Sequence, residues 1–199
     1  MRLNEERVGV ILGDVSGKGL GAALLMSKLQ ATVRAIAGAE TSLPELGSKL
    51  NRIMCRDGIE GRFATLVYLD LGSQDSVIRL LNAGHPSPLI IRSNRIDSLE
   101  PVSLPVGIKP EEDYHEQRVD MEQGDLFVLY SDGVTEAMNP ADELFGEQRL
   151  LALLPRLRGQ GPEQVGRAIC DAVDRFSADE RVDDDLSIVV IRRGRAKTT

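Results

Sequence analysis

Basic residues are in deficit in this 199-residue chain: 24 Lys and Arg stand against 31 Asp and Glu, for a formal net charge of −7. A protein that works along phosphate backbones carries a basic footprint, so the balance argues against nucleic acid as a main ligand. Cysteine is scarce too. Cys55 and Cys170 lie far apart, lack a partner at zinc-ligand spacing, and fall in segments of helical pattern; this predicts two buried, reduced thiols. No apolar run approaches the roughly 18 residues of a membrane span. The opening MRLNEER is charged, with no hydrophobic stretch of the signal-peptide kind behind it. These absences predict a cytoplasmic, soluble chain with neither membrane nor nucleic acid among its partners. Repeats and low-complexity linkers are also lacking, which predicts one domain over residues 1–193 and a basic tail over 194–199. Apolar residues at 42% and charged residues at 28% exclude wholesale disorder. A chain of this size removes roughly 70% of its unfolded surface from water, so it needs no disulfide or metal to fold.

The apolar pattern changes period along the chain. Val8–Gly13 (VGVILG) reads as a buried strand entering a turn at Asp14-Val15-Ser16-Gly17. Ala, Leu and Met then recur at helical spacing from Leu20 to a stop at Gly38, and a second helix runs from Pro44 to Asp57-Gly58. Phe63–Leu71, Val77–Asn82 and Pro88–Arg92 are β-rich, and their short Gly/Ser/Asn/Pro breaks predict antiparallel hairpins throughout. Tyr114–Met121 and Asp125–Ser131 read as further strands, Glu147–Leu157 and Pro162–Phe176 as helices, and Leu186–Arg192 as a last strand. This order is not the βαβα alternation of a parallel doubly wound sheet; it predicts α+β, with helices covering antiparallel sheets.

Acids cluster at strand ends. Asp14 follows VGVIL, Asp132 follows LFVLY, and Asp183-Asp184-Asp185 precede LSIVVI. Hard divalent cations bind where several oxygens converge, and strand ends hold side chains firmly. Asp is equally a common turn residue, so composition alone leaves both readings open. Competing motifs fail on single letters. In GDVSGK three residues separate the glycines where a P-loop has four, and Gly19 replaces the Ser or Thr that would hold Mg²⁺. GKGLGA fits a loose dinucleotide fingerprint, but AETSLPELGSKL follows where an acid-ended strand is required. DLFVLYSDGVT is close to the haloacid-dehalogenase motif, yet Tyr130 occupies the place of its nucleophilic Asp.

Four segments together narrow the field: GDVSGKGLGAALLM (13–26), LNAGHPSPLII (81–91), LYSDGVTEAMN (129–139) with LFGEQRL (144–150), and DDDLSIVVIR (183–192). In order and spacing they resemble the PPM-type (protein phosphatase 2C-like) metal-dependent serine/threonine phosphatases, in the bacterial branch typified by SpoIIE. The resemblance implies an α+β fold: an antiparallel β-sandwich flanked by helix pairs, with two Mn²⁺ or Mg²⁺ ions at one rim. Residue by residue, it implies that the Asp14 carboxylate bridges both metals and that the Val15 carbonyl and the Asp132 carboxylate are ligands. Asp184 is the implied ligand in the register Asp184-Asp185-Leu186-Ser187, with Asp185 supporting by hydrogen bond. Such ions lower the pKa of a shared water, aim it at phosphorus and neutralise the non-bridging oxygens as the alcohol leaves in line. The implied function is hydrolysis of phosphoserine or phosphothreonine on a partner protein, an anti-sigma-factor antagonist in a bacterial partner-switching pathway, under a possible upstream sensor domain. The alternative is a weakened phosphatase-like domain that binds the phosphoprotein without turnover.

Two departures from the family pattern stand out. Many relatives carry D-G-H-G where this chain has Asp14-Val15-Ser16-Gly17, so a histidine general acid is missing and protonation of the leaving group falls to a metal-bound water. Relatives also carry a G-G-D-like strand upstream, and this chain starts just after its place, so the fold is expected to lack its first strand. The expectation is that the genomic reading frame continues upstream into a G-G-D-like segment within about 15 residues of Met1, the length of one strand and its turn. An in-frame stop codon immediately before Met1 would refute it.

Overall fold

A computed structural model describes residues 1–72, 75–178 and 185–194. The chain forms two compact units, residues 1–85 with 101–121 and residues 86–100 with 122–199. Each contains a four-stranded antiparallel sheet and its own helices, in agreement with the α+β expectation.

In the first unit β1 (Arg7–Val15) leads through a glycine-rich turn into α1 (Leu20–Ile36) and α2 (Leu43–Asp57), then β2 (Ala64–Gly72), β3 (Val77–Ala83) and, after the second unit's first insertion, β6 (Glu116–Asp120). The sheet order is β1-β2-β3-β6. Leu25, Leu29 and Val33 recur every fourth residue of α1, and Leu43, Leu46, Leu50 and Met54 line α2. These stripes pack with Val15, Ala64, Leu66, Tyr68 and Leu81 of the sheet. Ser42 caps α2 by accepting from Glu45 N–H at 3.3 Å, and Pro44 sits in its first turn, where no N–H is needed. A Cβ on Gly9 would lie 2.5 Å from the Tyr68 hydroxyl, so glycine there lets the tyrosine lie under β1.

The second unit holds β4 (Leu89–Ile91), β5 (Ile96–Ser98), β7 (Leu126–Tyr130) and β8 (Ile188–Arg192), in the order β5-β4-β7-β8. A one-turn helix α3 (Asp132–Thr135) follows β7, then α4 (Gly146–Leu153) and α5 (Pro162–Ser177). Leu126, Val128 and Tyr130 pack against Leu150, Leu154, Val165, Ile169 and Val173.

Three expectations change. The breaks between strands are not all hairpins: β2–β3 and β4–β5 pair directly, but β3 pairs with β2 and β6 while β4 pairs with β5 and β7. The chain leaves one sheet for the other at NAGHPSP, where Gly84 adopts φ +68° and Asn82 brackets the turn through both its amide atoms to His85. The helix expected over 147–157 ends at Leu153 and continues as a 3₁₀ turn, Leu154–Leu157, because Pro155 has no N–H to extend the ladder. Both cysteines are free as expected, but half-buried; desolvation raises both thiols above their ordinary pKa. Among the described residues no helix is long and apolar enough to cross a membrane.

One polar ladder spans all four strands of the first sheet on its helix-facing side. Asp70, 2% exposed, receives Arg7 through Nε at 3.0 Å and also through Nη2, and Arg79 Nη1 at 3.1 Å. Arg79 also grips Glu116 with Nε and Nη2, at 3.1 and 2.6 Å, and donates to the Thr41 carbonyl in the α1–α2 link. The Arg79 hydrogen bonds hold the Glu116 carboxyl below its usual range. That contribution is therefore present above the unfolded value near about pH 4.3 and is lost as the pH falls through the lowered folded value. Arg79 bonds Asp70, Glu116 and the Thr41 carbonyl, so replacing it with Met is expected to cost about 2 kcal/mol even though Arg7 still partners Asp70 and Arg118 Nε still donates to Glu116 at 2.8 Å. Arg7→Met removes bonds to Asp70 alone and should cost about 1 kcal/mol or less. Urea unfolding of the two variants checks the order.

Candidate functional site

Asp14 is the penultimate residue of β1 and stands opposite Thr65 of β2. Side chains alternate along a strand. Ile11 and Val15 join the helix-covered core, so Asp14, with Leu12 and Val10, faces the other side of the sheet. There it is half-buried. The register partner Thr65 places its hydroxyl 2.9 Å from His85 Nδ1, and His85 is itself 1% exposed and bracketed by Asn82. His85 is thus a buried brace of the turn out of β3.

Val15 faces Ala64, whose own N–H and carbonyl pair with Val106 at 2.9 Å each. Ser16 closes the end of the ladder. Its N–H donates to the Phe63 carbonyl at 2.9 Å, its Oγ accepts from Phe63 N–H at 2.9 Å, and its carbonyl accepts from Arg62 Nη1 at 2.7 Å. The chain then turns through Gly17 and Gly19, at φ +87° and +84°, where side chains would be strained, into α1.

Asp132 opens α3 directly after β7, half-buried, with Oδ1 accepting from Gly133 N–H at 3.0 Å. Ser131 makes the same kind of closure as Ser16. Its N–H donates to the Ser187 carbonyl at 3.0 Å, its Oγ accepts from Ser187 N–H at 2.9 Å, and the hydroxyl donates to the Asp185 carbonyl at 3.0 Å. A Cβ at Gly133 would stand 2.7 Å from that carbonyl, so glycine admits residues 185–187 beside Asp132. Asp185 thus touches the Asp132 segment through its backbone. Asp183 and Asp184 lie outside the described residues, as do Arg195 to Thr199 of the basic tail.

Asp14 and Val15 belong to the first unit, Asp132 and Asp185 to the second. Among the described residues no three of His, Cys, Asp and Glu converge as a metal site; the third expected carboxylate, Asp184, is not one of them. Carboxylates and a strand-end carbonyl, the groups expected as donors, are oxygen ligands of the kind a hard cation such as Mn²⁺ or Mg²⁺ takes. The ties through Arg62, Ser131 and His85 escape sequence reasoning. Only His85 carries a visible signal, in NAGH, since a contact across strands leaves no period along the chain.

Two sheets and flanking helices of this topology match solved PP2C phosphatases. The PP2C domain of SpoIIE from Bacillus subtilis, solved with a fragment of its regulatory domain, superposes with a TM-score of 0.82 at 20% identity, over 96% of this chain and 56% of that one. The catalytic domain of the serine/threonine phosphatase PstP, solved with two manganese ions, gives 0.65 at 14% identity over 96% and 92%. The family model described as Stage II sporulation protein E (SpoIIE) matches residues 4–194, and the chain belongs to that family of PP2C-type phosphatase domains. Phosphoserine phosphatase RsbU of Bacillus subtilis (strain 168) is 28% identical over 199 residues, spanning 96% of this chain and 57% of RsbU. The chain thus covers little more than half of that relative.

Replacing Ser131 by Ala leaves the Ser187 N–H without its acceptor. The expected loss is about 1–2 kcal/mol, with faster amide hydrogen exchange at Ser187; unchanged exchange there would show that the closure does not hold this strand end.

Proposed function

We propose that this chain is a metal-dependent protein serine/threonine phosphatase domain acting on a phosphorylated partner protein. The observation that carries the reading is the placement of Asp14 and Asp132, each at the end of a strand with the adjoining backbone tied, in a member of the SpoIIE family. Asp14, Asp132 and Asp184 are proposed to hold two Mn²⁺ or Mg²⁺ ions by their carboxylates, and Val15 by its carbonyl. When bound, such ions supply an activated water and offset charge on the phosphoryl oxygens. The chain's own part is to fix oxygen donors on strand ends, where little reorganisation accompanies the reaction. Ser16, which stands where many relatives have histidine, accepts from Phe63 N–H on its hydroxyl, and an alcohol does not ionise near neutral pH as an imidazole does, so it is not proposed as that residue's substitute.

The name of RsbU as a phosphoserine phosphatase supports phosphoserine or phosphothreonine as the scissile group. An anti-sigma-factor antagonist is the proposed partner, and a sensor domain upstream the proposed source of control. Release of phosphate from an aryl phosphate should depend on added Mn²⁺. Asp14→Asn and Asp132→Asn should each lower that rate by about a hundredfold or more, since both set the affinity for the ions, while the circular dichroism spectrum stays that of the folded chain. Full activity of either variant at saturating Mn²⁺ removes that residue from the site.

A further inference from the structure

Arg62 lies on the turn into β2, after Gly61 at φ +74°, with its N–H donating to the Ile59 carbonyl at 3.0 Å. Its guanidinium reaches back across the glycine-rich link that follows Asp14 and Val15. Nη1 donates to the Ser16 carbonyl at 2.7 Å. Nε lies 3.4 Å from where a Gly21 Cβ would stand, and a Cβ on Gly17 would overlap Nη1. Glycine at 17 therefore leaves room for this side chain, whereas a Cβ at 21 would only touch it.

The consequence runs through peptide geometry. In a trans peptide the N–H and the carbonyl point in opposite directions. Ser16 N–H aims at the carbonyl of Phe63, the residue before β2, so the Val15 carbonyl of the same peptide aims away from β2, off the edge of the sheet order β1-β2-β3-β6. The next peptide is held by Arg62 through the Ser16 carbonyl. With both planes flanking the Ser16 Cα tied, the Ser16 dihedrals cannot change without breaking a hydrogen bond. Beyond them Gly17 and Gly19 offer no stiffness of their own.

We propose that Arg62 is a positioning residue for the Val15 carbonyl, holding that oxygen aimed off the β1 edge by locking the Ser16–Gly17 peptide. This rests on the reading of Asp14 and Val15 as metal donors. Partners that orient a metal's donors typically change affinity by about 10–100-fold when removed. Arg62 holds a backbone carbonyl and not a reacting group, so its loss should act through metal affinity and kcat and spare KM.

Calorimetric titration with Mn²⁺ of the wild type, Arg62→Ala, Arg62→Lys and Asp14→Asn tests it, together with thermal unfolding in the absence of metal. Arg62→Ala is expected to bind Mn²⁺ about tenfold or more weakly, with KM for an aryl phosphate within about twofold of wild type and a metal-free melting temperature within about 2 °C. Arg62→Lys, which keeps one donor, should recover part of the affinity. If Asp14→Asn loses Mn²⁺ binding while Arg62→Ala retains it in full, the positioning role is overturned and the donor reading stands. If Asp14→Asn binds Mn²⁺ like wild type, the donor reading fails and the proposal with it. A fall in the metal-free melting temperature of Arg62→Ala that accounts for its lost affinity would make Arg62 a structural residue only, and would also overturn the proposal.

Discussion

Along β1 the side chains of Ile11 and Val15 enter the core under α1 and α2, so Asp14 must face the other way. A slip of one residue in the β1–β2 register would drive its carboxylate among Leu25, Leu29, Leu50 and Leu66, and an unpaired charge in such a core costs several kcal/mol. The register is held at one end by the Arg7–Asp70–Arg79–Glu116 ladder and at the other by the Ser16–Phe63 closure. Residues between them have no freedom to exchange faces. A strand stabilised in this way is also a rigid mount for the one acid it carries.

The two units solve the same problem at the ends of β1 and β7. An acid is wanted where a strand stops, yet a strand that simply stops leaves backbone groups open and its last residues loose. In each case a serine donates its N–H into the ladder and accepts the reciprocal bond on its hydroxyl instead of its carbonyl, at Ser16 with Phe63 and at Ser131 with Ser187. The pairing thus persists for one more residue while the main chain turns away. Glycine does the rest, at Gly17 by permitting a left-handed turn and at Gly133 by admitting the Asp185 carbonyl. These devices explain why the D-V-S-G and S-D-G segments combine an acid, a serine and a glycine.

Much of the element order was legible from periodicity, because the helices and the longer strands each bury a regular stripe. Leu25, Leu29 and Val33 announce α1, and the unbroken LFVLY announces β7, all five of whose residues are buried. What stayed illegible was partnership. Nothing in PLII says that β4 pairs with β7 and β5 rather than with β3, since the hydrogen bonds that decide it join residues far apart in the chain. β5 itself, three residues long, offers too little pattern to see.

The sequence by itself determined where the acids Asp14 and Asp132 stand and their local setting: carboxylates at strand ends, glycines at the turns beside them, and helices whose apolar stripes demand a sheet to cover. Local chemistry suffices for these, because each depends on neighbours within a turn or a strand. Only the tertiary structure decided which face Asp14 occupies, that Ser131 is bound to the Asp185 backbone, and that Arg62 returns across 46 residues to hold the Ser16 carbonyl. Those outcomes are set by strand register and by contacts between distant segments, which depend on the whole sheet being assembled.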